Sequence, residues 1–130
     1  MDSTNIDSGW FSGGCHCAAV RFEVRIETWE GLRCNCSICH MTGFEHLIVS
    51  RDQFRLCSTL ETVTDYRFNT RKAKHSFCGI CGVKAFYTPR SHPDGLSVNI
   101  RCLDDLEAQA KFHLTPFDGR HWEAHIDEIR

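Results

Sequence analysis

No apolar run in this sequence approaches the ~20 residues that a bilayer-spanning helix needs, so no membrane span is expected. Blocks of five or more like charges are also absent, and the formal net charge is only −2. A general electrostatic footprint for nucleic acid is therefore missing. Residues 1–9 are polar and do not form a charged segment followed by an apolar one, so no secretory signal is expected. Neither end carries a lipidation pattern. The expected compartment is the cytoplasm or the nucleus, where stable disulfides are disfavoured. Low-complexity tracts, internal repeats and linkers are lacking too. One domain is expected, with residues 1–10 as a short tail and 11–130 as the folded unit.

A chain of 130 residues should bury roughly two-thirds of its unfolded surface, enough for one modest core. Its patterning is mainly that of strands. Val20 to Ile26 alternates apolar and polar residues, as does Leu96 to Ile100. Leu47-Ile48-Val49, Thr62 to Phe68 and Phe86-Tyr87-Thr88 also read as strands, the last ending at Pro89. Ser50 to Phe54 reads as a turn or a short helical piece, and His92 to Gly95 as a turn. Short helices are expected at Asp104 to Ala110 and His121 to Ile129. The fold class is therefore mainly β with short peripheral helices.

What the chain does have is cysteine, nine in all. The odd number leaves at least one without an intramolecular disulfide partner. Clustering is more telling than number. C-x-C and C-x-x-C pairs strain to bridge each other but converge readily on a metal. Cys78 and Cys81 can grip one edge of a tetrahedral zinc, and Gly79 and Gly82 suit a knuckle whose N–H groups point at sulfur. No second C-x-x-C pair beyond this and the Cys36–Cys39 spacing supplies the other edge, but Cys15 and Cys17 can do so. A redox C-x-x-C would instead open a helix, which the β-rich sequence after Gly82 argues against. Cys34, Cys36 and Cys39 place three thiols within six residues. Three protein ligands and an open corner are the pattern of a catalytic zinc. A closed site completed by His40, His46, His75 or Cys102 is the alternative. Cys57 has no local partner and reads as a buried small hydrophobe. Cys102 follows a strand pattern and either packs or faces a site.

These cysteine groups come with recognisable flanks. Gly13-Gly14-Cys15-His16-Cys17 is followed by Ala19 to Phe22; then come Cys34-Asn35-Cys36-Ser37-Ile38-Cys39, Tyr66 to Thr70, and His75-Ser76-Phe77-Cys78 with Cys81-Gly82. Phe86 to Ser91 and Arg101-Cys102-Leu103-Asp104 complete the set. With these flanks the chain resembles the glutathione-dependent formaldehyde-activating (GFA) family, and within it looks most like the domain of centromere protein V. The resemblance implies a zinc-clamped β-tent fold and two zinc ions. By it, Cys15, Cys17, Cys78 and Cys81 match a structural zinc, and Cys34, Cys36 and Cys39 match a catalytic zinc. It also implies a carbon–sulfur lyase or synthase that makes S-hydroxymethylglutathione from glutathione and formaldehyde. Ala18 stands where the family usually has glycine, and His40 and Met41 replace the basic residues that often follow the triplet.

That activity needs a donor for the alkoxide, with His46 or His75 as candidates against a surface or strand-packing role for each. It also needs cations for the carboxylates of glutathione, with Arg51, Arg71, Lys72, Arg90 and Arg101 as candidates against solvated surface charges. Three thiolates outweigh one divalent cation by a unit charge, so the site favours delivery of a thiolate over strong polarisation of a carbonyl. A rival function is a non-catalytic zinc scaffold for chromatin or cytoskeleton, anchored by Trp10, Trp29 or Trp122. A third is a thiol sensor or metal buffer.

Overall fold

The computed structural model describes residues 9–67 and 74–128. Among the described residues, ten strands fall into three sheets. Strands β1 (Trp10–Gly14), β2 (Arg21–Arg25) and β5 (Phe54–Leu56) form an antiparallel sheet in the order β1-β2-β5. A five-stranded sheet contains β3 (Glu30–Cys34), β4 (Glu45–Ser50), β8 (Phe86–Tyr87), β9 (Gly95–Asn99) and β10 (His113–Phe117), in the order β10-β3-β4-β9-β8. Strands β6 (Val63–Tyr66) and β7 (His75–Cys78) pair as a third sheet. None of these sheets closes into a barrel. Among the described residues, three short α-helices lie between or after the strands: α1 (Ser37–Thr42), α2 (Leu106–Lys111) and α3 (Trp122–His125). The protein is thus mainly β with peripheral helices, as its patterning predicts.

The alternation in Val20 to Ile26 is realised in β2. Phe22 and Val24 are buried, whereas Arg21, Glu23 and Arg25 are only half-buried. Ser50 to Phe54 becomes a 3-10 turn over Arg51–Gln53 closed by a Ser50/Gln53 capping box. Helix α2 starts where Asp105 accepts hydrogen bonds from the N–H groups of Glu107 and Ala108. The predicted helix over His121 to Ile129 is shorter, with α3 passing into a 3-10 turn at Ile126–Glu128. The strand expected over Thr62 to Phe68 is β6, and residues 68–73, with Arg71 and Lys72, lie outside the described residues.

The five-stranded sheet has two differently used faces. Register pairs Leu47 with Val98 and Val49 with Leu96. With Phe86 opposite Val98, these side chains join Phe22, Val24 and Ile100 in the core. Because side chains alternate across a strand, the intervening residues form the other face: His46 opposite Asn99, Ile48 opposite Ser97, and Tyr87 opposite Ser97. Leu32 pairs with His46, and Phe117 lies opposite Cys34 through the parallel β10–β3 pairing. That second face carries the candidate site.

Candidate metal centres

The four thiols of Cys15, Cys17, Cys78 and Cys81 come together, all within 4.8 Å of one another. They arrive from two sheets. Cys15 and Cys17 follow β1, and Cys78 ends β7. Cys15 Sγ and Cys78 Sγ each lie 3.7 Å from Cys17 Sγ. A zinc tetrahedron with Zn–S near ~2.3 Å has sulfur–sulfur edges of about 3.8 Å, so the spacing fits that ion. The knuckle after β7 turns through Gly82, whose φ of 81° is in the left-handed region, and its N–H bonds Cys78 O at 2.8 Å. No helix follows Cys81, which removes the thioredoxin-like geometry. Backbone N–H groups of Cys81 and Ile80 lower the Cys78 thiol pKa. The paired turn at Cys15–Ala18 is built differently. Ala18 takes φ 67°, a left-handed value that non-glycine residues seldom adopt.

Cys34, Cys36 and Cys39 also converge, their three Sγ atoms within 4.8 Å. Cys34 closes β3, Cys36 is the N-cap of α1, and Cys39 is the buried residue of that helix. Sequence reading missed α1, although Ser37-Ile38-Cys39-His40-Met41 before Gly43 contains no breaker. Hydrogen bonds from Cys34 and then Cys39 hold the Cys36 thiol far below its ordinary pKa. Cys39 is driven up by its hydrogen bonds to Cys34 and Cys36, then by burial. Three thiolates this close repel one another, so full ionisation of all three calls for a cation among them. That chemistry suits a metal. Among the described residues no histidine or further cysteine joins the triplet within the same reach. His40 is exposed, and Cys102 lies elsewhere, its thiol against Lys84 O at 3.9 Å.

The triplet opens on a cavity of about 380 Å³ whose floor is the second face of the large sheet: Leu32, His46, Ile48 and Tyr87. His75 and Phe117 also line it, and Arg90, Gly119, Arg120 and Trp122 form its mouth. Asn35, between two of the cysteines, holds that mouth in place. Its amide donates to Asp118 Oδ1 at 3.0 Å and its carbonyl accepts from Arg120 N at 3.0 Å. Arg90 lies 3.6 Å over the Trp122 ring and bonds Glu123 at 2.8 Å.

Beneath the cavity lies a buried polar cluster. Lys84, only 7% exposed, approaches His75 Nδ1 at 2.6 Å and the Tyr87 ring at 3.9 Å. Burial lowers its pKa to about 8, opposed by the thiolates of Cys39, Cys36 and Cys34. Burial likewise lowers His75 and His46 to about 4, with Lys84 adding to the effect on both. Neither histidine is a surface residue.

A family model described as glutathione-dependent formaldehyde-activating enzyme matches residues 10–117. The chain belongs to this family. It is also similar to a Rhodobacter sphaeroides protein, a Northeast Structural Genomics target of known crystal structure. That likeness has a TM-score of 0.69 at 32% identity and covers 80% of this chain and 99% of the other. The cavity mouth formed by Gly119, Arg120 and Trp122 lies beyond the stretch that the GFA model matches.

Several expectations need correction. Cys57 is exposed rather than buried, because it follows β5 where the chain leaves the sheet. Arg51 lines a different hollow, beside Phe54 and Leu96, and Arg101 pairs with Glu45 at 3.3 Å. Of the described candidate cations only Arg90 reaches the cavity. Trp10, Trp29 and Trp122 are half-buried. Trp29 packs between Phe11 and Phe112, and Trp10 under Arg55, so neither stands free as an anchor. Lys84, Gly119 and Arg120 were missed. A lysine inside the apolar run Val83 to Tyr87 was the signal for the first, and Asp118-Gly119 between β10 and the last helix was the signal for the others.

Proposed function

We propose that this protein is a two-zinc enzyme that joins glutathione to formaldehyde and releases S-hydroxymethylglutathione, or runs that carbon–sulfur lyase reaction in reverse. One observation carries the reading: three convergent thiols, with no fourth ligand among the described residues, open on a cavity. The four-thiolate cluster is the structural centre and Cys34, Cys36 and Cys39 the catalytic one. Residues 11–130 act as one domain. Nine free thiols fit a reducing compartment, cytoplasm or nucleus.

Zinc bound by the triplet would supply a centre that keeps the substrate thiol ionised. The chain's own residues do the rest. Tyr87 lines the cavity beside the triplet, and its hydroxyl lies 3.4 Å from His46 Nδ1. Lys84 puts a buried positive charge behind an anionic triplet. At the mouth, Arg120 and Arg90 face the carboxylates of glutathione, and Arg90 Nε is buried without a hydrogen-bond partner among the described residues. Sulfur bonds to the aldehyde carbon, the carbonyl π pair moves to oxygen, and a proton from water completes the hydroxyl. Nuclear magnetic resonance exchange spectroscopy on glutathione with formaldehyde tests this. The zinc-loaded protein should speed exchange between free and hydroxymethylated glutathione, and a rate equal to that of the uncatalysed mixture rejects it.

A further inference from the structure

His46 is 4% exposed and lines the triplet cavity from β4. Its Nε2 is buried and has no hydrogen-bond partner among the described residues. A buried polar atom left unpaired carries a desolvation penalty, and native structures seldom keep one without a use. The other ring nitrogen is well served. Ser97 Oγ lies 2.9 Å from Nδ1, and Tyr87 Oη lies 3.4 Å from it. Ser97 is fully buried, and its hydroxyl meets no other acceptor among the described hydrogen bonds. Its proton therefore goes to Nδ1, and the ring proton sits on Nε2.

We propose that His46, as the Nε2–H tautomer, is the hydrogen-bond donor to the oxygen of a carbonyl or hydroxymethyl group held in this cavity. The identity of that oxygen, formaldehyde or its glutathione adduct, rests on the proposed function; the donor assignment does not. As the sulfur–carbon bond forms and the carbonyl π pair moves to oxygen, the Nε2–H bond strengthens with the growing negative charge. Water then delivers the proton that replaces the one lost by the thiol, so His46 ends the step in the tautomer in which it began. Burial that holds the imidazole neutral agrees with a fixed donor rather than a proton carrier. His75 is placed for a different task, since its Nδ1 faces Lys84 and its ring stacks on Tyr87 at 4.7 Å.

The test uses the zinc-loaded full chain with His46→Leu, which removes the donor, and His46→Gln, which retains an N–H. Long-range proton–nitrogen NMR reads the tautomer directly, and the Nδ1–H form overturns the proposal. Calorimetry compares S-hydroxymethylglutathione with S-ethylglutathione, which replaces the hydroxyl by a methyl group. Wild type should prefer the hydroxyl ligand, His46→Leu should lose that preference, and His46→Gln should regain part of it. Turnover of His46→Leu should fall by about 10²–10³, the usual effect of losing one oxyanion donor, with glutathione affinity held within about twofold. An unchanged preference in His46→Leu, or none in wild type, overturns the assignment. A wild type that prefers the hydroxyl ligand but does not turn over leaves His46 as the donor and rejects the reaction instead.

Discussion

Gly119 packs its Cα against the thiol of Cys34. A Cβ built at Gly119 would fall within the van der Waals envelope of Cys34 Sγ and lie 3.1 Å from Cys36 Cβ. Two chain segments far apart in sequence thus meet at the triplet with no room for a methyl group. Asn35 locks them together through Asp118 and Arg120. Gly119→Ala should therefore displace a ligand without touching the four-thiolate cluster. Loss of a supporting contact typically lowers metal affinity 10- to 100-fold. Competition with a chelator, followed by metal analysis, should find the second zinc released first in Gly119→Ala, with the melting temperature nearly unchanged. Wild-type retention of both metals would show that the packing is idle.

The two cysteine clusters should respond differently to the loss of one ligand. Cys15, Cys17, Cys78 and Cys81 tie β1 to β7, and a structural zinc contributes on the order of 10 kcal/mol to folding. That is comparable with the whole stability of a domain. Cys81→Ser is expected to give an unfolded or molten chain by near-ultraviolet circular dichroism. Cys39→Ser should keep the native spectrum, bind about one zinc fewer and lose turnover. Equal damage from both substitutions would mean that the triplet is structural as well.

Local chemistry made the cysteine clusters legible, because spacing within a turn is short-range information. The β2 and β9 alternations were legible for the same reason. The cavity was not. Its mouth depends on the parallel pairing of β10 with β3, which brings Phe117 opposite Cys34 across more than eighty residues of chain. Nothing in either segment announces the other. The buried polar cluster was hidden differently: Lys84 is of a type that normally sits at the surface, and only tertiary packing puts it against His75 and Tyr87. Cys57 erred in the opposite direction, since a residue type that is usually buried sits at an exposed strand end.

Ala18 offers a test of backbone strain at the four-cysteine cluster. Its φ of 67° places a Cβ in a region that costs an L-residue roughly 1–2 kcal/mol. The side chain is exposed and contributes no core packing. Ala18→Gly should remove the strain, and the added freedom of glycine in the unfolded chain offsets part of that gain. A net stabilisation of about 0.5–1 kcal/mol is expected from urea unfolding of the zinc-loaded protein. Ala18→Val should move the midpoint the other way, and a shift of the same sign in both variants would remove strain as the cause.

Acid should destabilise the fold partly through His46. Its pKa is lowered from 6.5 to about 4, chiefly by burial. Between these values the unfolded chain binds more protons than the folded one, so stability rises with pH. The contribution is complete above pH 6.5 and lost as pH falls towards 4, about 3 kcal/mol in all for a shift of this size. His75 is lowered in the same direction. Protonation of the thiolates also releases metal in acid, so the informative quantity is a difference between proteins. The drop in urea midpoint from pH 7 to pH 5 should be smaller in His46→Leu than in wild type. Parallel curves would remove His46 from the acid transition.

Arg120 should distinguish glutathione from thiols in general. It is exposed at the cavity mouth, and its backbone N–H is pinned by Asn35. The side chain is therefore carried on a fixed backbone rather than on a wandering loop. A charge-assisted hydrogen bond to a carboxylate contributes about 1.5–3 kcal/mol, and solvent screening puts an exposed guanidinium at the low end. Arg120→Ala should raise KM for glutathione about 10-fold and leave kcat nearly unchanged, because the contact is equally present before and during reaction. KM for 2-mercaptoethanol, which has no carboxylate, should not move. Raising the salt concentration should weaken glutathione binding in wild type more than in Arg120→Ala. If both thiols lose equally, Arg120 shapes the cavity wall instead, and the carboxylate contact belongs to Arg90, whose guanidinium is already braced by Trp122 and Glu123.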